Sequence, residues 1–341
     1  MRMDLGLCRR SETDNNLAIS IVVPVFNEAA ALADFHSALK RVTATLPHET
    51  QILYVNDGST DRTAHVLAEI RAQDTTVAYL TFSRNFGHQA ALTAGLESVD
   101  GDIVIMMDGD GQHPPELIPE MLRLYQQGFD IIQAQRTDIA KSKNTFKRWT
   151  SRTFYWFISR IGEVQLAPGA ADFRLISREV LHALQRMNEY HRFIRGMTSW
   201  LGFRTAMLPY EAGTRMAGET KYSLGKMVRL AADGFFSFSL VPLRLGIAAG
   251  CFFLALALAE GSYVTIFWLF RDPQELVPGW SSVILMVTLG NGITMVLLGF
   301  IGIYVGMIFQ EVKRRPVYVI SPSQSSCMGS QTMDKNTGLY K

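Results

Sequence analysis

The first part of the chain alternates short apolar runs with segments of helical periodicity. β-Branched apolar runs predict strands at 19–25, 51–55, 77–82, 103–107 and 130–134. Between the first two runs, the apolar side chains recur three or four residues apart, as on one face of a helix: Leu32, Phe35, Leu39, Val42 and Leu46. Strands that alternate with helices are typical of βαβ units, so the pattern predicts an α/β domain with a largely parallel sheet.

Two long apolar runs follow residue 240 and raise the mean hydropathy to +0.10. The run at 245–270 contains one charged residue within its apolar part, Glu260, and the run at 280–310 contains none. Each exceeds the about 20 residues that cross about 30 Å of hydrocarbon, so we predict two transmembrane helices. A pair of buried core helices is the alternative, but uncharged runs of this length are rare in soluble cores.

Basic residues flank the two predicted spans on their outer sides. Four precede the first span, namely Lys221, Lys226, Arg229 and Arg244, and KRR at 313–315 follows the second. The connecting loop contains one basic residue, Arg271, together with the acids Asp272 and Glu275. The positive-inside rule therefore places both termini and the soluble domain on the cytoplasmic side of the plasma (inner) membrane. Charged residues at the start of the chain interrupt any signal-peptide core.

These patterns divide the chain into five segments. We expect a disordered tail at 1–16, a cytoplasmic α/β domain at 17–222, an amphipathic juxtamembrane helix at 223–241, a two-helix transmembrane hairpin at 242–312 and a cytoplasmic tail at 313–341. The polar stretch at 321–341 predicts disorder. GxxxG spacings at 246–250 and 302–306 allow close contact between helices, so we also expect a homo-oligomer.

Charge and cysteine content exclude several classes of function. The net charge of +2 is too small and too dispersed to predict a nucleic-acid partner. The three cysteines, Cys8, Cys251 and Cys327, are widely spaced and favour neither a disulfide framework nor a zinc site. An EF-hand is excluded because His113 stands where the loop needs glycine. No GxGxxG opens a helix, which argues against a dehydrogenase.

Polar motifs follow each predicted strand. They are PVFNE (24–28), NDGSTD (56–61), SRNFG (83–87), DGDGQH (108–113) and QR (135–136). The carboxyl ends of parallel strands meet at one edge of a sheet, where ligands bind. Asp108 and Asp110 repel each other unless a cation lies between them, as in many Mg²⁺ and Mn²⁺ sites. Taken alone, the acidic stretch is equally typical of a solvated turn.

Together these motifs resemble the inverting family 2 glycosyltransferases of the GT-A fold. Within that family they most resemble the polyprenyl-phosphate sugar transferases, such as bacterial bactoprenol glucosyltransferases and dolichyl-phosphate mannose synthases. The resemblance covers residues 18–320, and its one small departure is DGDGQH where many relatives have DADLQ or DVDLQ. It implies a nucleotide-sugar-binding domain with a mixed, mostly parallel sheet, followed by two transmembrane helices.

On the donor side, the resemblance implies one set of residues that binds the nucleotide sugar: Pro24, Phe26, Glu28, Asp57, Asp108 and Arg136. It implies that Asp57 accepts hydrogen bonds from the base and that Arg136 contacts a phosphate. A divalent metal ion, Mg²⁺ or Mn²⁺, would be held against the diphosphate by Asp108, Asp110 and Gln112. Without the resemblance, Glu28 and Asp57 would be ordinary helix-start residues.

On the acceptor side, the resemblance implies a catalytic set: Asp110, Asp172, Arg174, Arg215 and Lys221. Asp172 and Arg174 belong to the motif DFRL (172–175), and Arg215 and Lys221 would meet the lipid phosphate. A phosphate monoester has its second pKa at about 6 and is mostly ionised at neutral pH, so no strong general base is needed. We therefore expect Asp172 chiefly to orient the acceptor or Arg174, although the resemblance also permits a base.

The function implied is transfer of a sugar, glucose from UDP-glucose, to polyprenyl (undecaprenyl) phosphate with inversion. The product would be a lipid-linked sugar for modification of cell-envelope glycans. One alternative is a processive polysaccharide synthase, but Thr145 replaces the glutamine of its QxxRW motif and two spans are few for a channel. The other is a non-catalytic lipid-binding scaffold, against which the intact acidic and basic motifs argue.

Overall fold

The structure is a computed structural model that describes residues 17–137, 170–187, 189, 192–211 and 279–326, with eight further positions between 252 and 270. The chain forms two units. The first comprises Met1–Ser159, Val164–Lys221 and Pro316–Lys341, and the second comprises Arg160–Glu163 and Tyr222–Arg315. The predictions for 1–16, for the helix at 223–241 and for most of the span at 245–270 lie outside the described residues.

A seven-stranded sheet forms the centre of the first unit. Its strands are β1 (Ala18–Val25), β2 (Glu49–Asn56), β3 (Val77–Thr81), β4 (Ile103–Met106), β5 (Ile131–Arg136), β6 (Ala170–Ser177) and β7 (Thr205–Tyr210). Their order is β3-β2-β1-β4-β6-β5-β7. All neighbours are parallel except β6, which is antiparallel to both β4 and β5. The predicted mixed and mostly parallel sheet is confirmed.

Helices pack on both faces of this sheet. They are α1 (Leu32–Thr43), α2 (Thr63–Gln73), α3 (His88–Glu97), α4 (Ile118–Gln126), α5 (Arg178–Arg186) and α6 (Ile194–Trp200). Side chains of α1, α2 and α4 share one buried cluster with β1, and those of α3, α5 and α6 share the other. The periodic residues Leu32, Phe35 and Leu39 are at most 1% exposed, as the helical spacing predicts.

Two strands, β6 and β7, are absent from the sequence-based prediction. β6 carries Asp172 and Arg174 within a buried strand, which hides the apolar signal that identifies the other strands. β7 lies at the end of the sheet, and its residues alternate between exposed and partly buried and include Pro209. Neither strand has the continuous apolar run on which the prediction of buried strands depends.

The described part of the second unit includes a long helix, α7 (Trp280–Lys313), of 34 residues. It coincides with the predicted span at 280–310. Its segment Leu289–Lys313 has a mean hydropathy of 2.2, and none of it is buried in the structure, so by length and composition it qualifies as a membrane span. Among the described residues this is the one such segment.

The chain returns to the first unit after α7. We call residues 316–326 the return segment. It forms antiparallel bridges at Phe82 with Ile320 and at Tyr79 with Ser326, along the open edge of β3. Tyr318 and Ile320 are 8% and 7% exposed. The prediction of disorder from residue 321 onward is therefore wrong for 321–326, because these residues complete a sheet edge that the sequence pattern alone cannot locate.

Candidate functional site

The loops after β1 and β2 are held together by side-chain to backbone hydrogen bonds. Asn27 adopts a left-handed conformation, with φ of 53°. Its amide N–H donates to Ser59 Oγ at 2.9 Å, and its side-chain oxygen accepts from the N–H of Thr60 at 2.9 Å. The N–H of Glu28 donates to Thr63 Oγ1 at 3.0 Å. The two predicted nucleotide-binding motifs are thus one connected structure.

Asp57 ties the loop after β3 to the same structure. Its carboxylate accepts hydrogen bonds from the N–H groups of Phe86, at 2.7 Å, and Gly87, at 2.9 Å. Burial raises the pKa of Asp57, and these two N–H donors offset part of that effect. Because α3 begins immediately after Gly87, Asp57 also fixes the position of His88 at the start of that helix.

The acidic motif begins where β4 ends. β4 and β6 are antiparallel, and their paired residues end with Met106 opposite Arg174. Asp108 donates its amide N–H to His113 Nδ1 at 2.9 Å, which makes the loop compact. The His113 ring is buried and stacks on Phe173, with ring centroids 5.2 Å apart. The fold thus anchors Asp108 through its backbone.

Asp110, Gln112 and Arg136 form a hydrogen-bonded chain beside Asp108. Asp110 accepts from the backbone N–H of Gln112 at 3.0 Å and from its side-chain amide at 2.9 Å. Arg136, at the end of β5, donates to Gln112 Oε1 at 2.8 Å. The structure therefore brings together three residues that lie up to 26 positions apart in the sequence.

Asp172 is surrounded by three cationic side chains. Arg195 of α6 donates to both of its carboxylate oxygens, each at 2.8 Å. His88 Nε2 lies 3.3 Å from Asp172 Oδ2 and 3.5 Å from Asp108 Oδ1, so this imidazole bridges the two acids. Arg174 Nη2 lies 3.7 Å from Asp172 Oδ1. The bidentate pair between Arg195 and Asp172 fixes the orientation of the carboxylate as well as balancing its charge.

The charges in this cluster determine the protonation of its members. Burial by itself raises the pKa of Asp172, but Arg195 and His88 outweigh burial and hold it well below its usual range. Burial lowers the pKa of His88, but Asp108 and Asp172 outweigh it and raise the value to about 9. These ion pairs therefore favour an ionised Asp172, and such a weakly basic carboxylate is suited to orientation rather than proton abstraction.

Asp108 has the properties of a metal ligand. Its Oδ1 atom is buried and accepts no hydrogen bond in the described structure beyond the 3.5 Å ion pair with His88, so it can still accept a cation or a substrate donor. The described residues contain no group of three or more His, Cys, Asp or Glu side chains able to hold an ion by themselves. A hard divalent ion held by one or two carboxylates would take its remaining ligands from substrate phosphates and water.

Comparison with known proteins places the chain in a family. The model described as "Glycosyl transferase family 2" matches residues 20–185. The uncharacterized glycosyltransferase YkcC of Bacillus subtilis is 38% identical over 308 residues, which are 90% of this chain and 94% of that protein. This chain belongs to glycosyl transferase family 2. It is a glycosyltransferase with the GT-A fold.

Two further proteins are similar to this glycosyltransferase. The SfII prophage-derived bactoprenol glucosyl transferase of Shigella flexneri is 36% identical over 308 residues, which are 90% of this chain and 98% of that protein. The crystal structure of glucosyl-3-phosphoglycerate synthase from Mycobacterium tuberculosis, in complex with Mn²⁺, UDP and glucosyl-3-phosphoglycerate, is 18% identical. It matches 64% of this chain and 78% of that chain with a TM-score of 0.47.

The glycosyltransferase gathers most of its predicted site residues at one edge of the sheet. Pro24 lies near the end of β1, and Phe26 and Glu28 lie in the following loop, which is joined to the β2 loop. Asp57 follows β2 and Asp108 follows β4, the two strands that flank β1. Arg174 is only 1% exposed and donates to Thr198 Oγ1 and to the carbonyl of Ile194, so in this structure it holds α6. Arg215 and Lys221 lie outside the described residues.

Sequence reasoning missed His88 and Arg195 in this glycosyltransferase. His88 follows the SRNFG motif directly and could have been found by extending that motif one residue, since the first residue of a helix after a strand lies at the ligand-binding edge. Arg195 had no comparable signal. It reaches Asp172 because α6 packs beside β6, which only the tertiary structure shows.

Proposed function

We propose that this glycosyltransferase moves a hexose, glucose from UDP-glucose, onto a polyprenyl phosphate such as undecaprenyl phosphate. The observation that carries the proposal is the bridge from Asp108 through His88 to Asp172, which joins a donor-side acid to a cation-rich acceptor side. The relative named bactoprenol glucosyl transferase, 36% identical over 90% of the chain, supports the lipid acceptor. The apolar helix α7 supports action at a membrane.

On the donor side, Asp108 and Asp110 would hold a divalent ion, Mg²⁺ or Mn²⁺. When bound, such an ion acts as a Lewis acid that neutralises charge on the leaving diphosphate. Gln112 supports the same group by donating to Asp110 and accepting from Arg136, and the second lone pair of its amide oxygen would be open to a metal ion. Arg136 would bind a phosphate oxygen of the donor.

On the acceptor side, the phosphate needs a positive environment rather than a base. With a second pKa of about 6, it is mostly a dianion at neutral pH. Arg195 and His88 offset the repulsion between this anion and the donor diphosphate, and Asp172 holds both cations in place. An acceptor oxygen attacks the anomeric carbon as its bond to the diphosphate breaks, so the nucleoside diphosphate leaves and the configuration inverts.

The proposed setting is the cytoplasmic face of the plasma membrane, with two spans formed by 245–270 and α7. The basic flanks of both runs support this orientation. The product, a lipid-linked sugar, would supply the modification of cell-envelope glycans. A homo-oligomer remains part of the proposal, since the GxxxG spacings at 246–250 and 302–306 allow close contact between helices, within the hairpin or between subunits.

The test is transfer of label from a panel of nucleotide sugars to undecaprenyl phosphate by the full-length protein. We expect UDP-glucose to label the lipid fraction with Mg²⁺ or Mn²⁺ and EDTA to abolish labelling. Asp110→Asn should lower turnover at least about 100-fold, because it weakens the stabilisation of the leaving group. Glu116→Gln, in an exposed position after the same motif, is the matched control and should retain activity.

Two results would contradict the proposal. If no sugar entered the lipid fraction with either metal, the acceptor assignment would be wrong. If the labelled product were instead a polymer that grows with time, the chain would be a processive synthase. A fully active Asp110→Asn variant would remove the metal assignment and leave the acceptor assignment standing.

A further inference from the structure

The return segment is bound to the first unit by backbone hydrogen bonds. The N–H of Ser83 donates to the carbonyl of Val319 at 3.0 Å, and the N–H of Ser321 donates to the carbonyl of Thr81 at 2.7 Å. Near its end, the N–H of Ser326 donates to the carbonyl of Tyr79 at 2.8 Å. These bonds run along β3, so the residues that follow α7 in the chain form part of the glycosyltransferase domain.

Tyr318 is the buried anchor of this segment. Its ring stacks on Phe82 with centroids 5.2 Å apart and an interplanar angle of 12°. Its hydroxyl donates to Glu97 Oε2, at the end of α3, at 2.7 Å. Burial and the charge of Glu97 raise the pKa of Tyr318, so the hydroxyl keeps its proton and remains a donor at neutral pH.

Glu97 links Tyr318 to the residues just before α6. Its other carboxylate oxygen, Oε1, accepts from Arg192 Nη1 at 2.5 Å. The two side chains of this pair are only 19% and 10% exposed. A charged pair with so little exposure depends on its remaining hydrogen bonds, and Tyr318 supplies one of them.

The first turn of α6 is consequently held at three points. Arg192 binds Glu97 two residues before the helix begins, and the N–H of Ile194 donates to Gln89 Oε1 at 3.0 Å. Arg195 then binds Asp172 through two hydrogen bonds. Glu97 and Gln89 both belong to α3, so α3 connects the return segment to the first turn of α6.

We propose that Tyr318 is a positioning residue which, through Glu97 and Arg192, fixes the first turn of α6 and so sets Arg195 against Asp172. The inference rests on the proposed function in one respect, the assignment of Asp172 and Arg195 to the lipid-phosphate side. Its consequence is that the acceptor side of the site is complete only when the chain beyond α7 has folded back onto β3.

The test is Tyr318→Phe in the full-length protein, which keeps the ring on Phe82 and removes only the hydroxyl. Mutations along such networks shift a coupled site by about twofold to thirtyfold, so we expect the KM for polyprenyl phosphate to rise by a factor in that range. The KM for the nucleotide sugar should not change. Hydrogen exchange measured by mass spectrometry should become faster in peptides that cover Ile194–Trp200.

The matched control is Ser325→Ala in the same segment. Ser325 Oγ accepts from the N–H of Thr81 at 3.0 Å and donates to the carbonyl of Ser321 at 2.8 Å, so its loss weakens the segment away from Glu97. Ser325→Ala should lower the melting temperature but leave the acceptor KM and the exchange of α6 unchanged. In a Glu97→Ala background, which removes both carboxylate acceptors, Tyr318→Phe should have no further effect.

The outcomes separate the two proposals. An active wild type whose acceptor KM and α6 exchange are the same in Tyr318→Phe would overturn the positioning role and leave the proposed function intact. Equal effects of Tyr318→Phe and Ser325→Ala would show a general loss of stability and would also overturn it. If the wild type transferred no sugar to lipid, the proposed function would fail, and faster α6 exchange in Tyr318→Phe alone would still support the positioning role.

Discussion

A backbone contact from another loop requires glycine at position 58. Gly58 adopts φ of +63°, and a Cβ built there would lie 2.3 Å from the backbone carbonyl carbon of Arg84. The contact joins the NDGSTD loop to the SRNFG loop, whose N–H groups bind Asp57. The residue's identity is therefore set by the packing of two loops as well as by its own conformation.

Gly58→Ala should destabilise the domain by about 2 to 4 kcal/mol, because the Arg84 backbone must move and the hydrogen bonds to Asp57 must stretch. Melting temperature and transfer activity should both fall. Gly202→Ala is the matched control, since Gly202 has a similar φ of +70° but a Cβ there would meet no atom within 4 Å. It should cost about 1 kcal/mol. Equal losses in the two variants would disprove the contact.

At the scale of elements, α1 is tied to the turn between α2 and β3 by one acid. Asp74 Oδ2 lies 2.7 Å from Lys40 Nζ of α1, and Asp74 Oδ1 accepts from the N–H of Thr76 at 2.9 Å. Burial raises the pKa of Asp74, but Lys40 and Thr76 outweigh it and lower the value to about 2. The carboxylate is thus favoured in the folded state.

Asp74→Asn should lower stability by about 1 kcal/mol at pH 7, a figure reduced from the pKa shift because Lys40 is partly exposed. Since the folded pKa lies below the unfolded value, the stabilisation is present above about pH 4 and disappears as the pH falls to about 2. Melting curves of both proteins across this range should therefore converge in acid. Glu120→Gln removes an exposed ion pair with Arg123 and should leave the melting temperature unchanged across this range. A constant difference across the range would contradict the assignment.

At the scale of the whole molecule, the chain leaves and re-enters its sheet-containing unit. The return segment covers the edge of β3, and Tyr318 and Ile320 join the buried cluster on the α3 face of the sheet. An uncovered strand edge would expose backbone groups and apolar side chains to other chains. The residues after α7 therefore stabilise the domain that precedes it in the sequence.

A chain that ends at Lys313 should lose about 3 to 5 kcal/mol of stability, because the burial of Tyr318 and Ile320 is lost. A chain that ends at Ser326 keeps all of these contacts and should melt close to the full-length protein. The two truncated proteins can be compared by melting temperature and by aggregation after purification in detergent. Similar melting temperatures would show that the return segment does not stabilise the domain.

The sequence by itself determined the elements with a strong local signal. The strands β1 to β5, helix α1 and the apolar helix α7 were predictable because continuous apolar runs and helical spacing depend only on neighbouring residues. The acidic motif, the loops after the parallel strands and the family were predictable for a related reason, since the motifs are contiguous. Because the strands that precede these motifs run parallel, their carboxyl ends bring the motifs to one edge of the sheet.

The tertiary structure alone decided how the charged cluster around Asp172 is built. Asp172 and Arg174 lie in an antiparallel strand whose charges conceal it, and Arg195 and Tyr318 reach the site through contacts between residues 23 and 221 positions apart. The local sequence around either residue of such a contact does not predict the other residue. Burial and the balance of charges in the folded chain set the ionisation of Asp172. Pairing with the edge of β3 sets the placement of the residues after α7. No single stretch of sequence contains either kind of information.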